Sequence, residues 1–208
     1  MRAWVLIFLF TLAASERILL NSNWQFGPHP DAGVAPQTVH LPHTVVKLSY
    51  RNFQASAWER IWRYRRTFDR PSAGERFFVE FQGVMTACNV SFNGAAFPPR
   101  LGGYNAFRYE LTPHMRATGN ELTVIVDGRY LLIPPNRDAN SSDGTDFYQP
   151  AGIYRDVHLL ALPQTFVRDT FAKPVAVLDD AERAVVVEFT TDSARADTLA
   201  GAIATATL

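Results

Sequence analysis

Short runs in which apolar and polar residues alternate constrain the fold of this chain more than any other feature of its sequence. In the run RFFVEFQGV, Phe77, Val79 and Phe81 lie on one face of an extended chain, and Phe78 and Glu80 lie on the other. The same period of two recurs in WRYRRTF, NVSFNGAAF, NELTVIVDG and GIYRDVHLL. This is the period of a β-strand, and no window carries an apolar helical period over three or more turns. The pattern therefore predicts an all-β fold.

Turn-forming residues separate these runs and indicate how the strands are connected. Asn93-Gly94 is the dipeptide that a two-residue hairpin prefers, because both of its central positions need a positive φ. Clusters of proline or glycine follow other runs, as at Pro98-Pro99 and Gly102-Gly103. The stretch LTPHMRATGN predicts one short helical turn that begins at Thr112-Pro113 and ends at Gly119. Many short strands with turns between them predict an antiparallel sandwich or barrel.

The composition is that of a globular protein that can build its own core. Hydrophobic residues make up 47% of the 208 residues, and 20 Lys and Arg balance 20 Asp and Glu. A chain without net charge lacks the basic surface with which proteins displace counterions, so no nucleic-acid partner is predicted. The single cysteine, Cys88, alternates with small and apolar residues and is predicted to pack in the core.

The N-terminal residues 1–15 differ from the rest of the chain. MRAWVLIFLFTLAAS has a positive charge at Arg2, then an apolar run, then small residues at Ala13 and Ser15. This pattern predicts a secretory signal peptide over residues 1–15, cleaved after Ser15, and a secreted or periplasmic location. The apolar run is shorter than the roughly 20 residues that a membrane-spanning helix needs. A buried N-terminal strand is the alternative.

A domain boundary is predicted near Leu162-Pro163. Residues 16–163 contain the strand runs described above and form the first predicted domain. Residues 164–208 contain QTFVRDTFAKPVAVL, a new strand run in DDAERAVVVEFTTDS, and a last strand run in LAGAIATATL. This segment is shorter than the roughly 100 residues of an immunoglobulin-type sandwich. We therefore expect an incomplete second sandwich, and a chain that is the front end of a longer protein.

Six blocks of the chain, taken in order, resemble the N-terminal sugar-binding domain of family 2 glycoside hydrolases, and β-galactosidases most of all. The family also includes β-glucuronidases and β-mannosidases. No single block is specific, but their common order makes the resemblance strong, and together they cover about residues 18–162. The blocks are LNSNWQF (20–26), VHLPHTV (39–45), WRYRRTFDRP (62–71), RFFVEFQGVMTACNVSFNG (76–94), GGYNAFRYELTPHMRATGNELTVIVDGR (102–129) and GIYRDVHLL (152–160).

The resemblance implies a jelly-roll sandwich, then an immunoglobulin-like sandwich, then a TIM barrel that performs the chemistry. In this family β-glycosides are hydrolysed with retention by two glutamates of the barrel, one as nucleophile and one as acid/base. The runs described here reach no barrel, so no catalytic residue is assigned, and we expect the chain to be inactive alone. Sodium or magnesium is implied only for a full-length enzyme, and no cofactor is assigned to this chain.

The implied partners are a β-galactoside or related β-glycoside, the C-terminal barrel and, for the complete protein, further copies in a homo-oligomer. The first hypothesis is thus the sugar-binding region of a secreted β-galactosidase-like enzyme. A self-standing carbohydrate-binding module that acts as a lectin is the second hypothesis, and an adhesion or structural sandwich is the third. The incomplete second sandwich argues against the lectin, because an open half-sheet exposes unpaired strand edges.

Three residues are candidates for contact with a sugar: Asp146, Tyr148 and Tyr104. The resemblance implies that Asp146, six residues before Gly152, reaches the active site and contacts sugar hydroxyls and a sodium ion. A carboxylate can accept paired hydrogen bonds from adjacent hydroxyls, and an aromatic ring can stack on a sugar. The alternative for Asp146 is a loop carboxylate that caps a backbone turn.

For Tyr148 the sequence departs from the family pattern, and for Tyr104 there is an alternative role. Tyr148 begins the sequence Tyr148-Gln149-Pro150, where β-galactosidases often carry Trp-Arg, and this departure leaves the galactose preference open. Tyr104 lies in a glycine loop, where it can line a sugar site or pack between strands. Arg155 and Asp156 are predicted to be structural, in ion pairs with a neighbouring strand or domain.

Overall fold

The computed structural model describes residues 15–31, 33–47, 55–129, 151–179, 181–182 and 184–194. Two short 3-10 helices occur in these ranges, at Ala55–Ala57 and Thr112–His114, and the other regular elements described there are strands that pair antiparallel. The predicted all-β fold is confirmed. The strands are β1 (Glu16–Leu19), β2 (Trp24–Pro28), β3 (Gln37–Val39), β4 (Ile61–Phe68), β5 (Arg76–Phe81), β6 (Ala87–Phe92), β7 (Ala95–Ala96), β8 (Arg100–Leu101), β9 (Phe107–Glu110), β10 (Asn120–Asp127), β11 (Val157–Leu162), β12 (Thr165–Val175) and β13 (Ala184–Ser193).

Two sheets pack face to face and form the first unit of the chain. The smaller sheet has the order β1-β11-β5-β9, and the larger has the order β3-β2-β4-β10-β6-β7, with β8 also paired to β6. Side chains from both inner faces belong to one hydrophobic cluster, which is the core of a two-layer sandwich, in agreement with the predicted jelly roll. The largest fully buried side chains include Trp24, Trp58, Tyr64, Phe81, Phe92, Leu122 and Leu159.

Strand β10 shows how the period-two pattern produces this core. Its residues Leu122, Val124 and Val126 are fully buried, and the residues between them are only partly buried. β10 pairs with β4 on one side and with β6 on the other, so it is a central strand. Burying each of these side chains contributes about 1.5–3 kcal/mol, which is why the alternating pattern determines which face of the strand turns inward.

The Asn93-Gly94 turn is confirmed as a hairpin between β6 and β7. Both residues have positive φ, 50° and 87°, as a two-residue turn of this type requires. The side chain of Asn93 also fastens the turn to its surroundings. Its Oδ1 accepts a hydrogen bond from the N–H of Glu121 at 2.8 Å, and its Nδ2 donates to the carbonyl of His114 at 2.8 Å.

Two predicted element bounds were wrong. The helical turn that begins at Thr112 ends at His114 and does not continue to Gly119. The reason lies in Asn120, whose side chain accepts from the N–H of Arg116 at 2.8 Å and donates to its carbonyl at 2.9 Å, so these groups are not available to a helix. The strand predicted in GIYRDVHLL begins only at Val157.

The second unit is described only as the hairpin of β12 and β13. β11 ends at Leu162 and β12 begins at Thr165, so a two-residue connection separates the sandwich from the hairpin. The last predicted strand run, at residues 199–208, lies outside the described residues. In the part of the chain that the structure describes, no helix is long and apolar enough to span a membrane.

Candidate functional site

Of the three residues predicted to contact a sugar, the structure describes one. Asp146 and Tyr148 lie outside the described residues. Tyr104 lies in the loop between β8 and β9 and is 50% exposed, so it is only partly packed against its neighbours. A candidate site is therefore described here from the residues around Tyr104.

Five chain segments meet at the end of the sandwich where Tyr104 lies. Backbone hydrogen bonds, side-chain hydrogen bonds and close glycine contacts connect them. We call these segments the loop rim: residues 43–45, 83–85, 102–104, 127–129 and 151–155.

Gly152 lies in the middle of the loop rim and is held from two sides. Its N–H and C=O groups exchange hydrogen bonds with the backbone of Met85, at 3.0 and 2.9 Å. On the other side, the N–H of His43 donates to the carbonyl of Ile153 at 2.8 Å. Gly152 has a φ of 136°, and a Cβ at this position would lie 2.4 Å from the carbonyl oxygen of His43. Glycine is therefore required here by both conformation and space.

His43 and Tyr64 form a hydrogen-bonded pair beneath Gly152. The Nδ1 of His43 and the hydroxyl oxygen of Tyr64 are 2.7 Å apart, and the ring of Phe26 lies 4.8 Å from each of their rings. Burial raises the pKa of Tyr64, with a smaller opposing effect from a backbone hydrogen bond to Ile153, and burial lowers the pKa of His43. Both side chains are therefore neutral near pH 7, and their role is to support the rim.

The loop that carries Tyr104 is fastened to the segment that follows Gly152. The hydroxyl of Tyr154 donates to the carbonyl of Gly103 at 2.8 Å, and Nη1 of Arg155 donates to the carbonyl of Tyr104 at 3.1 Å. The guanidinium carbon of Arg155 lies 5.1 Å from the centre of the Tyr154 ring. Gly83 lies against this ring, because a Cβ on Gly83 would be 2.9 Å from it. These contacts hold the backbone of the loop that carries the half-exposed side chain of Tyr104.

Arg155 and Asp156 differ from the prediction made for them. Among the described contacts, Arg155 donates to backbone carbonyls and makes no ion pair. The carboxylate of Asp156 accepts a hydrogen bond from Nδ2 of Asn21 at 2.8 Å. Both residues make structural contacts, but the contacts are hydrogen bonds to neutral groups and not the predicted ion pairs.

Asp127 and Arg129 fix the point where the chain leaves β10. The guanidinium of Arg129 donates to both carboxylate oxygens of Asp127, at 2.9 and 2.7 Å, and its N–H donates to the same carboxylate at 3.0 Å. Burial acts to raise the pKa of Asp127, but the hydrogen bonds and charge of Arg129 outweigh it and hold this pKa below its usual value. Between them, Gly128 packs so closely that a Cβ would lie 2.6 Å from that of Ala151. Residues 128 and 151 are thus adjacent.

The chemistry that this arrangement supports is binding and positioning. The carboxylate of Asp127 is paired with Arg129, and that of Asp156, which directly follows the rim, is bonded to Asn21, so the described residues at the rim offer no separated pair of acid and base. A cavity of about 110 Å³ beside the rim is smaller than the roughly 300–1,000 Å³ of ligand pockets. Its lining residues are Ile61, Ala87, Cys88, Asn89, Pro99, Arg100, Leu101, Ile125 and Asp127.

Sequence reasoning predicted Tyr104 but missed the residues that support it. The close contacts of the rim glycines were hard to predict, because the sequence does not reveal which residue packs against a loop glycine. The D-x-R spacing of Asp127 and Arg129 was a usable signal, because two residues that flank a turn glycine can pair. The distant pair of His43 and Tyr64 had no local signal.

Comparison with known proteins gives the family. Residues 5–163 match the family described as glycosyl hydrolases family 2, sugar binding domain. This match covers well over half of the chain. The chain belongs to family 2 of the glycosyl hydrolases. The two-sheet sandwich with its loop rim is therefore the sugar-binding domain of that family, as the sequence blocks predicted.

Individual relatives of this family 2 domain are longer glycosidases. A β-glucuronidase from Bacteroides fragilis is 32% identical over 177 residues, which is 79% of this chain and 23% of the relative. A β-galactosidase from Thermoanaerobacter pseudethanolicus is 29% identical over 140 residues, which is 65% of this chain and 18% of the relative. The chain thus spans about a fifth of the length of these curated relatives.

A solved structure supports the fold of the family 2 domain. The crystal structure of a putative β-galactosidase from Bacteroides fragilis superimposes with a TM-score of 0.70 at 25% sequence identity. The superposition covers 88% of this chain and 29% of that structure.

Proposed function

We propose that this chain is the N-terminal region of a β-glycosidase, in which the sandwich contributes to the substrate pocket and a barrel outside this chain hydrolyses the glycosidic bond. The observation that carries this proposal is the match of residues 5–163 to the sugar-binding domain of a glycosidase family. The proposal also includes export, which rests on the signal-peptide pattern of residues 1–15.

The loop rim is the part of the sandwich that we assign to the sugar. Asp146 and Tyr148 belong to a segment whose flanking residues, Gly128 and Ala151, are adjacent and closely packed. Tyr104 is exposed on a supported loop of the same rim. In this proposal Asp146 accepts hydrogen bonds from sugar hydroxyls, and the two tyrosines contact the apolar face of the ring.

A β-galactoside is the first substrate that we propose, because the sequence blocks resemble β-galactosidases most and several relatives carry that name. A β-glucuronide is the second candidate. The observation that favours it is the 32% identical relative, a β-glucuronidase, which aligns with 79% of this chain.

The test is to express the complete product of the gene, with any coding sequence that continues in frame after Leu208, and to assay it with chromogenic β-glycosides. We expect hydrolysis of a nitrophenyl β-galactoside or β-glucuronide by the complete product, and none by residues 1–208 alone. A complete product with a barrel that cleaves no β-glycoside would contradict the proposal. A gene that stops after Leu208, with a chain that binds sugars by itself, would support the lectin instead.

A further inference from the structure

Arg76, the first residue of β5, is a charged residue that is only 7% exposed. A buried charge is costly unless it is paired and hydrogen-bonded. Within the sandwich, Nε and Nη2 of Arg76 donate to the two carboxylate oxygens of Glu110 at 2.9 and 2.7 Å. The remaining terminal nitrogen, Nη1, donates to Asp192 at 2.7 Å. Asp192 lies on β13, so the guanidinium connects the sandwich to the hairpin.

Aromatic contacts reinforce this connection. The guanidinium carbon of Arg76 lies 5.1 Å from the ring centre of Phe78, on β5, and 5.3 Å from that of Phe166, on β12. The two phenyl rings meet edge to face, with 5.6 Å between their centres. Arg108 lies over the same two rings, at 5.5 and 5.8 Å. Phe78, on the outer face of its sheet, is only 5% exposed, so the hairpin covers it.

The two hairpin residues that contact the sandwich form one cross-strand pair of β12 and β13. Phe166 and Asp192 are directly opposite each other in the pairing of β12 with β13, so they lie on the same face. The register of the ladder shifts immediately afterwards, between Val167 and Asp169. Such an irregularity increases the local twist and turns the following residues in a new direction. Phe171, beyond the shift, is 57% exposed.

We propose that Arg76, Phe78, Arg108 and Glu110 of the sandwich form a clamp that holds Phe166 and Asp192, and thereby sets the direction in which the second unit leaves the first. Phe166 and Asp192 are the part of the hairpin on which this direction depends. Releasing the clamp frees the hairpin and leaves the sandwich folded. This inference does not depend on the proposed glycosidase function.

The test is hydrogen–deuterium exchange of the 208-residue chain, with peptides from β12 and β13 as the readout and peptides from β10 as the internal reference. In Asp192→Asn the charge-assisted bond to Arg76 is weakened, and in Phe166→Ala the ring contacts are lost. We expect hairpin amides to exchange at least about tenfold faster in each variant, as loss of a hydrogen bond to a charged group predicts. The exchange of β10 stays as in the wild type.

Matched controls come from the same hairpin. Glu188→Gln removes one negative charge from an exposed position of β13, and Phe171→Ala removes an exposed ring from β12. Equal exchange in Asp192→Asn and Glu188→Gln, and in Phe166→Ala and Phe171→Ala, would overturn the clamp. Two other results would do the same: hairpin amides that are unprotected in the wild type, or loss of β10 protection in Asp192→Asn.

Discussion

At the scale of single residues, the part of the loop rim around Gly152 is supported by two neutral side chains, the partly buried His43 and the buried Tyr64. Gly152 has no room for a side chain, and the carbonyl of its neighbour Ile153 is held by the N–H of His43, whose ring is bonded to Tyr64. A buried polar group without a partner costs more than a made hydrogen bond contributes. Each member of this group therefore requires the others, and a change at one of them is expected to weaken the rim.

Tyr64→Phe tests this dependence. The change keeps the ring in the core but removes the hydroxyl, so Nδ1 of His43 loses its hydrogen-bond partner. We expect the free energy of unfolding to fall by about 1–3 kcal/mol, which is the cost of leaving buried polar groups unpaired. Urea denaturation of the 208-residue chain, followed by tryptophan fluorescence, measures the loss.

The matched control is Tyr109→Phe. The hydroxyl of Tyr109 donates to the carbonyl of Pro98 at 2.6 Å in an exposed position, where water can replace it. We expect a smaller loss from this change than from Tyr64→Phe. Equal losses would show that the His43 and Tyr64 pair has no special role in stability.

Single residues could be predicted from the sequence where a local pattern was sufficient. The core position predicted for Cys88 is confirmed: the residue is buried, and burial raises the pKa of its thiol to about 12. The support of Gly152 by His43 could not be predicted, because the two residues meet only through the sheet topology. Asp146 stays a prediction, since it lies outside the described residues.

At the scale of elements, strand β5 is covered on both of its faces. Its inner residues Phe77, Val79 and Phe81 are in the core, as the period of two predicted. The prediction that Phe78 faces the other way is also correct, but Phe166 of β12 covers it. Alternation along one strand identifies its two faces and contains no information about what packs on the second face.

Glu110 on β9 is paired with Arg76 on β5, and this pairing makes the free energy of unfolding depend on pH in the acid range. The hydrogen bonds from Arg76 first of all, then one with Thr112 and the charge of Arg76, hold the pKa of Glu110 below its usual 4.5, although burial and the charge of Asp192 oppose them. A carboxylate with a lowered pKa in the folded state stabilises the protein above its unfolded pKa. This contribution is lost as the pH falls through the folded value.

We therefore expect the free energy of unfolding of the wild type to fall as the pH drops below about 4.5. In Glu110→Gln the stability at neutral pH is lower, and the difference from the wild type shrinks as the pH approaches the folded pKa of Glu110. Urea denaturation at a series of pH values between neutrality and acid measures both curves.

Glu188→Gln on β13 is the control for the loss of one negative charge, since Glu188 is exposed. The prediction fails if the curves for the wild type and for Glu110→Gln stay parallel over the whole acid range. Parallel curves would mean that the pairing of Glu110 with Arg76 does not change its proton affinity.

At the scale of the whole molecule, the clamp connects the sandwich to the hairpin of β12 and β13. The core of the sandwich is formed by both of its sheets, whereas β12 and β13 form a separate two-stranded sheet among the strands that the structure describes. Exposed apolar side chains on the hairpin, such as Phe171 and Val185, contrast with the buried ones of the sandwich. Strand periodicity predicted β strands on both sides of Leu162-Pro163, but it could not predict the clamp, because Arg76 and Asp192 are distant along the chain.

Asp146→Ala in the complete protein tests the proposed link between the sandwich and the sugar. If Asp146 accepts hydrogen bonds from sugar hydroxyls, its removal lowers kcat/KM for the preferred β-glycoside at least about tenfold, because hydrogen bonds to a charged group contribute about 1.5–3 kcal/mol each.

Asp143→Ala, three residues earlier in the same segment, is the matched control and leaves kcat/KM near the wild-type value. Steady-state kinetics with the chromogenic substrate measures both variants, and urea denaturation shows whether either change acts through folding. An Asp146→Ala variant with unchanged kcat/KM would reduce Asp146 to a residue that caps a turn. Any sugar contact of the loop rim would then have to come from Tyr104 and Tyr148.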